Sequence, residues 1–172
     1  MYSKYVRRGQ VFSVANQSPV AITAGLATTY TGLVVGNKVN SLRDLVMVDC
    51  SYSTNVAIPT ATALGLMVGT HTTDVANSLT IKNRYIGNTE VSNAWSEDSC
   101  TLPGTPVLCM PFATAWTEAV TAGTLSQPNI VPIKGKIVLK PGSFIAFYSS
   151  AANTASFLFS FTWIETPVDD FS

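Results

Sequence analysis

Apolar residues recur along this chain at every second position far more often than at helical spacing, most clearly between Lys136 and Glu165. Ile137, Val138 and Leu139 close one apolar run. Pro141-Gly142 breaks it, since proline cannot donate to a ladder and glycine permits the positive φ of a type II turn. Ser143 to Tyr148 forms a second run, and the small polar residues Ser149 to Ser156 read as a loop. Phe157, Phe159, Phe161 and Trp163 then fall on one side of a strand, because strand side chains alternate between faces. Leu158 and Ile164 take the other side, with Ser160 and Thr162 between them. Such a stripe anchors either a sandwich core or a subunit interface.

The same period predicts further strands upstream: Val11 to Val14, Thr28 to Val35, Leu42 to Ser51, Ala63 to Gly69 and Val107 to Phe112, while Ile130 to Leu139 leads into the stretch above. In Leu42 to Ser51, Leu45 and Met47 alternate with Val46 and Val48, so both faces are apolar and the strand is central. Val20 to Ile22 reads as loop, punctuated by Ser18-Pro19 and Gly25. Val56 to Ala61 contains Pro59 and is loop or edge. Residues 70–106 turn polar and irregular, with one short candidate strand at Leu79 to Lys82, and a loop this long is functional or packed on a neighbour. Trp116, Ala119 and Val120 share helical spacing, which predicts a short helix over Ala113 to Ala122 ended by Gly123. Residues 1–10 are an N-terminal arm, either laid on a partner or frayed, and residues 166–172 a tail. The reading is one all-β domain over 1–172: a jelly roll or β-sandwich of about eight antiparallel strands with long loops.

Composition narrows the function. Of 172 residues only 12% are charged against 47% hydrophobic, with ten basic and ten acidic side chains balancing to zero. A neutral, charge-poor chain lacks the footprint of a nucleic-acid binder. It also lacks the charge that keeps a free monomer soluble, and its mean hydropathy is +0.27, so a homo-oligomer is expected. Basic residues near the start are not followed by an apolar stretch of signal-peptide type, and no window approaches a membrane span. The three cysteines, Cys50, Cys100 and Cys109, make no disulfide framework. Cys50 and Cys109 sit in or beside apolar runs and are expected as buried thiols, Cys100 less so.

The search for chemistry returns little. His71 is the single histidine and lies in a threonine-rich loop with Asp74 three residues on, a poor basis for a nucleophilic triad or a zinc site. Glu97-Asp98 and Glu118 are not placed opposite one another as a glycosidase requires. No phosphate-binding loop, calcium loop or HExxH motif occurs. Asn16-Gln17-Ser18 matches a glycosylation sequon by letters only. The expectation is no enzyme, no cofactor and no metal.

Three segments carry a resemblance: Gly32 to Asn37 with the Asn37 to Ser41 turn before a strong strand, the Pro141-Gly142 strand pair, and Trp163-Ile164-Glu165. Together they resemble the small jelly-roll cement, or decoration, proteins of tailed-phage heads. The resemblance implies an oligomer, dimer or trimer, on the outer capsid surface, made in the host cytoplasm and bridging major capsid subunits without membrane or nucleic acid. The contact residues expected on that basis are Tyr2, Lys4, Tyr5, Arg7 and Arg8 of the arm, Trp95 in the long loop, and Asp169 and Asp170 of the tail. The alternative is a carbohydrate- or receptor-binding jelly roll of a tail or head fibre, with Trp95, Trp116 or Tyr85 as an exposed platform. A cupin-like enzyme would need more histidines than one.

Overall fold

A computed structural model describes residues 2–54, 56, 58, 61–115 and 129–168, the side chains of 155 and 156 excepted. A six-residue helix, α1 (Tyr2–Arg7), precedes β1 (Val11–Ala15), β2 (Val20–Ile22), β3 (Thr29–Asn37), β4 (Arg43–Thr54), β5 (Thr62–Thr70), β6 (Lys82–Asn83), β7 (Ala94–Thr101), β8 (Val107–Ala115), β9 (Asn129–Pro132), β10 (Val138–Leu139), β11 (Ser143–Ser149) and β12 (Asn153–Pro167). Two antiparallel sheets pack face to face. One runs β10-β4-β12-β1-β6, with β2 on β12 and β9 on β4; the other runs β7-β3-β11-β5-β8. The protein is an all-β sandwich, as the alternation predicts. Its described strands outnumber the eight expected because pieces of two to four residues leave no period to read. Among the described residues no helix is long and apolar enough to cross a membrane.

The aromatic stripe of β12 forms the centre of the core. Phe157, Phe159, Phe161 and Trp163 are all buried. Phe147 of the opposite sheet stacks on Phe159 at 4.1 Å and lies tilted against Phe161 at 4.7 Å, and Phe12 meets Trp163 at 6.4 Å. Burying each such ring contributes about 1.5–3 kcal/mol. β4 is central as expected, lying between β12 and the β9 and β10 segments. Where Thr162 pairs with Asp49 and Trp163 with Met47, Val48 is the extra residue of a bulge.

The five-stranded sheet is apolar on both faces. Leu33, Val35, Leu64, Leu66, Ile145 and Phe147 enter the main core. Tyr30, Val34, Met67, Trp95, Phe144 and Ala146 form a second cluster on the other face, closed by Leu102 and Val75. Residues 70–106 thus close over their own sheet. They also contain the eight-residue strand β7, where the sequence predicts irregular chain, and the short strand there is Lys82–Asn83 rather than Leu79 to Lys82. β7 escapes the pattern because its buried polar residues are satisfied at long range. Asn77 accepts from Ser96 N at 3.0 Å, and Glu97 accepts from Ser78 N at 2.9 Å and from the Ser78 hydroxyl.

One row crosses this sheet: Trp95 opposite Gly36, Gly36 opposite Phe144, and Phe144 opposite Gly69. A Cβ at Gly36 would stand 2.1 Å from the Trp95 ring, and one at Gly69 2.5 Å from Phe144. Aromatic and glycine alternate because each ring occupies the space of its neighbour's missing side chain. Beside it, Gly32 (φ +141°) opens a bulge between Thr31 and Val34. The buried Tyr30 hydroxyl enters that bulge, accepts from Leu33 N at 3.0 Å and reaches the Phe147 carbonyl at 3.0 Å.

Four further expectations need correction. Val20–Ile22 is a strand on β12, not a loop. β12 begins at Asn153, so the loop after β11 is shorter than Ser149 to Ser156. Ala113–Ala115 end β8, so no helix starts at Ala113, and the rest of that predicted helix, with Trp116 and Glu118, lies outside the described residues. Cys109 is exposed rather than buried: it is the extra residue where Met110 pairs with Leu66 and Leu108 with Met67, and the bulge turns it outward on a strand that, among the described residues, pairs with β5 alone. Cys50 is buried as expected.

Candidate functional site

The segments that carry the resemblance meet at one end of the sandwich. Asn37, fully buried at the end of β3, donates its amide to the carbonyls of Arg43 at 2.7 Å and Leu139 at 2.9 Å. Its own carbonyl accepts from Gly142 N at 3.1 Å, and the Gly142 carbonyl accepts from His71 N at 2.7 Å. Gly142 has φ +76°, as the Pro-Gly turn requires. Ser41 Oγ accepts from Arg43 N at 3.0 Å and fixes the turn into β4.

Glu165 follows the same logic. Its carboxylate is 4% exposed and accepts from Ser92 Oγ at 2.5 Å, Asn93 N at 3.0 Å, Asn93 Nδ2 at 2.9 Å and Trp163 Nε1 at 3.4 Å. A buried carboxylate persists only with such donors. Here it ties β12 of one sheet to the chain entering β7 of the other.

His71 is buried edge-on against Trp95 at 5.5 Å and near Phe144 at 6.3 Å. Its Nδ1 lies 3.0 Å from the Thr73 carbonyl and 3.9 Å from Asp74, whose carboxylate accepts from Val39 N at 2.9 Å. The imidazole packs the second core and the aspartate caps a loop. Glu97 is taken by Ser78. Among the described residues no three or more His, Cys, Asp or Glu side chains gather where they could hold a metal.

Trp95, expected at a contact surface or a glycan platform, is fully buried in its own chain. Tyr85 is half-exposed in the loop after β6. Asp169 and Asp170 lie outside the described residues.

The arm is ordered against its own sheet. Tyr2 and Tyr5 line an apolar groove with Val46, Val48 and Ile164 on the outer face of the seven-stranded sheet. Partial burial raises the Tyr2 phenol pKa, against the opposing pull of the Arg84 guanidinium bonded to it. Gln10 accepts from Glu165 N at 2.8 Å, and Gly9 accepts from Asn83 Nδ2 at 2.7 Å. Lys4, Arg7 and Arg8 are exposed on the far side of the helix, and Ser3 joins them around a shallow groove. Arg8 also borders a cleft of about 260 Å³ at the end of the sandwich, together with Gln10, Phe12, Arg43, Glu90 and Glu165. Sequence reasoning found Arg8 through its basic cluster. It missed Arg43, which stands alone in the sequence and joins the cluster only through strand pairing.

Compared with protein-family models, curated proteins and solved structures, the chain matches none.

Proposed function

We propose that this chain is a cement protein: a homo-oligomer that binds the outside of a phage capsid and stabilises contacts between major capsid subunits. Its work is contact rather than reaction. The single observation that carries the reading is the contrast between reactive side chains held inside the fold and bare aliphatic loop tips. The side chains with chemical potential, His71, Glu97 and Glu165, are spent on packing and hydrogen bonds inside the fold. Leu42, Ile86 and Val91 are more than four-fifths exposed in a chain with only 12% charged residues. Aliphatic surface of this kind gains by being covered.

The resemblance supports the same reading, since its three segments are joined into one bonded end of the sandwich. A rigid two-sheet frame holds loops and arm in fixed positions. A stable interface buries about 1,200–2,000 Å², and shell symmetry repeats each contact many times. The test is attachment. Purified protein added to bare capsids should decorate them at regular sites and raise the temperature at which packaged DNA is released. Sedimentation of the free protein should give a mass above 18.3 kDa. Identical DNA release from bare and treated capsids would overturn the proposal.

A further inference from the structure

The cations of the arm do not end at the arm. Arg8 belongs both to the shallow groove it shares with Ser3, Lys4 and Arg7 and to the cleft it shares with Arg43. Lys4, Arg7, Arg8 and Arg43 therefore form one track, from the exposed helix face over the end of the sandwich into the gap between the sheets. Among the described residues none of the four has a carboxylate oxygen within 4.0 Å. Two carboxylates line the cleft. Glu165 is buried and already takes donors from Ser92, Asn93 and Trp163. Glu90 is exposed at the rim, in the same loop as Val91. Among the described residues, four cations without an ion-pair partner thus face one free carboxylate, and guanidinium groups suit carboxylates in particular, with a planar fork that matches their two oxygens.

We propose that this track is a docking site for an extended acidic segment of a partner protein. Successive carboxylates would lie along Lys4 and Arg7, and one would enter the cleft between Arg8 and Arg43. The aliphatic side chains of Val91, on the cleft wall, and of Leu42, next to Arg43, supply apolar flanks for the residues between the acids. A space of about 260 Å³ admits one or two side chains. An acidic peptide fits better than nucleic acid. The track is short, the formal net charge of the chain is zero, and the cleft rim offers aliphatic rather than stacking surface. The inference rests on the capsid-contact reading of the arm but names the partner's chemistry, and it can be tested without a capsid.

The probe is a fluorescein-labelled octapeptide alternating aspartate and valine, titrated by anisotropy against the full-length protein. Its controls are the same peptide with asparagine for aspartate and a short oligothymidylate. The acidic peptide should bind at low salt and weaken by about tenfold at high salt. Arg8→Gln and Arg43→Gln should each weaken it by about fivefold or more. Glu90→Gln should tighten it, and Lys136→Gln, which lines neither the groove nor the cleft, should leave it unchanged. Circular dichroism of each variant confirms that the fold is retained. Equal binding of the asparagine peptide, tighter binding of the oligothymidylate, or indifference to Arg43→Gln would overturn the docking site. Peptide binding that follows this pattern in a protein that attaches to no capsid would keep the docking site and remove the cement reading.

Discussion

Replacing Glu165 by glutamine changes one atom and tests what holds the end of the sandwich together. The carboxylate accepts at 2.5 Å from Ser92 Oγ and at 3.0 Å from Asn93 N. Hydrogen bonds to a charged group contribute about 1.5–3 kcal/mol each and neutral ones about 0.5–1.5 kcal/mol, so neutralising the acceptor removes about 1 kcal/mol from each of these two. The third close bond, from Asn93 Nδ2 at 2.9 Å, would face an amide donor unless Asn93 turns over. The expected loss is about 2–4 kcal/mol, or about 5–15 °C in Tm for a domain of this size. Urea unfolding followed by tryptophan fluorescence reads it, as a lower midpoint at unchanged slope. Trp163, whose Nε1 lies 3.4 Å from the same carboxylate, should report a shifted emission in the folded state. Glu90→Gln, exposed at the cleft rim, is the control and should change stability by less than about 0.5 kcal/mol. If Glu165→Gln is equally silent, the carboxylate does not pin the two sheets and the structural account of this end fails.

Two other predictions concern titration. Burial, reinforced by Asp49, pushes the Cys50 thiol up to about 12, and burial with Glu97 and Asp98 pushes Cys100 up to about 11. Since the thiolate is the reactive form, a thiol reagent at pH 8 should label Cys109 rapidly and the other two only on unfolding; fast labelling of Cys50 would refute this. Because both folded values lie above the unfolded one, the stability these thiols confer is intact below about pH 9 and should fall as pH climbs toward 11–12, as thermal melts across that range would record. Asp44 is buried with one carboxylate oxygen unpartnered, and burial raises its pKa although Lys140 pulls it down. A raised acid is a cost at neutral pH that disappears as pH falls through its folded value, so Asp44→Asn should match or exceed the parent's stability at pH 7, with the gain shrinking in acid. A clear loss at pH 7 would contradict the sign.

What could be read from the sequence and what could not divides along the range of the interactions. The stripe Phe157 to Trp163 announces itself because period two is a local signal, and it became the centre of the core. Strand β7 was hidden because Ser96 and Glu97 are polar in sequence yet buried in the fold, satisfied by Asn77 and Ser78 across a loop. Cys109 lies in an apolar run, but the register shift that turns it outward belongs to the pairing of β8 with β5. At the candidate site, the basic arm was legible as a cluster of Lys4, Arg7 and Arg8. Arg43 joins them through β4, and nothing near it in sequence signals that.

The row Trp95, Gly36, Phe144, Gly69 has a consequence for how the strands find one another. Alternation of apolar and polar positions penalises a slip of one residue, which would turn each side chain to the wrong face, but it is nearly blind to a slip of two. The row supplies the missing discrimination. A two-residue slip would set Trp95 against Val34 or Lys38, and Phe144 against Met67 or His71, where a side chain already fills the space each ring needs. Gly36 and Gly69 thus act together as a key. Each is the notch into which a neighbouring ring must drop, so β7, β3, β11 and β5 close in one alignment only.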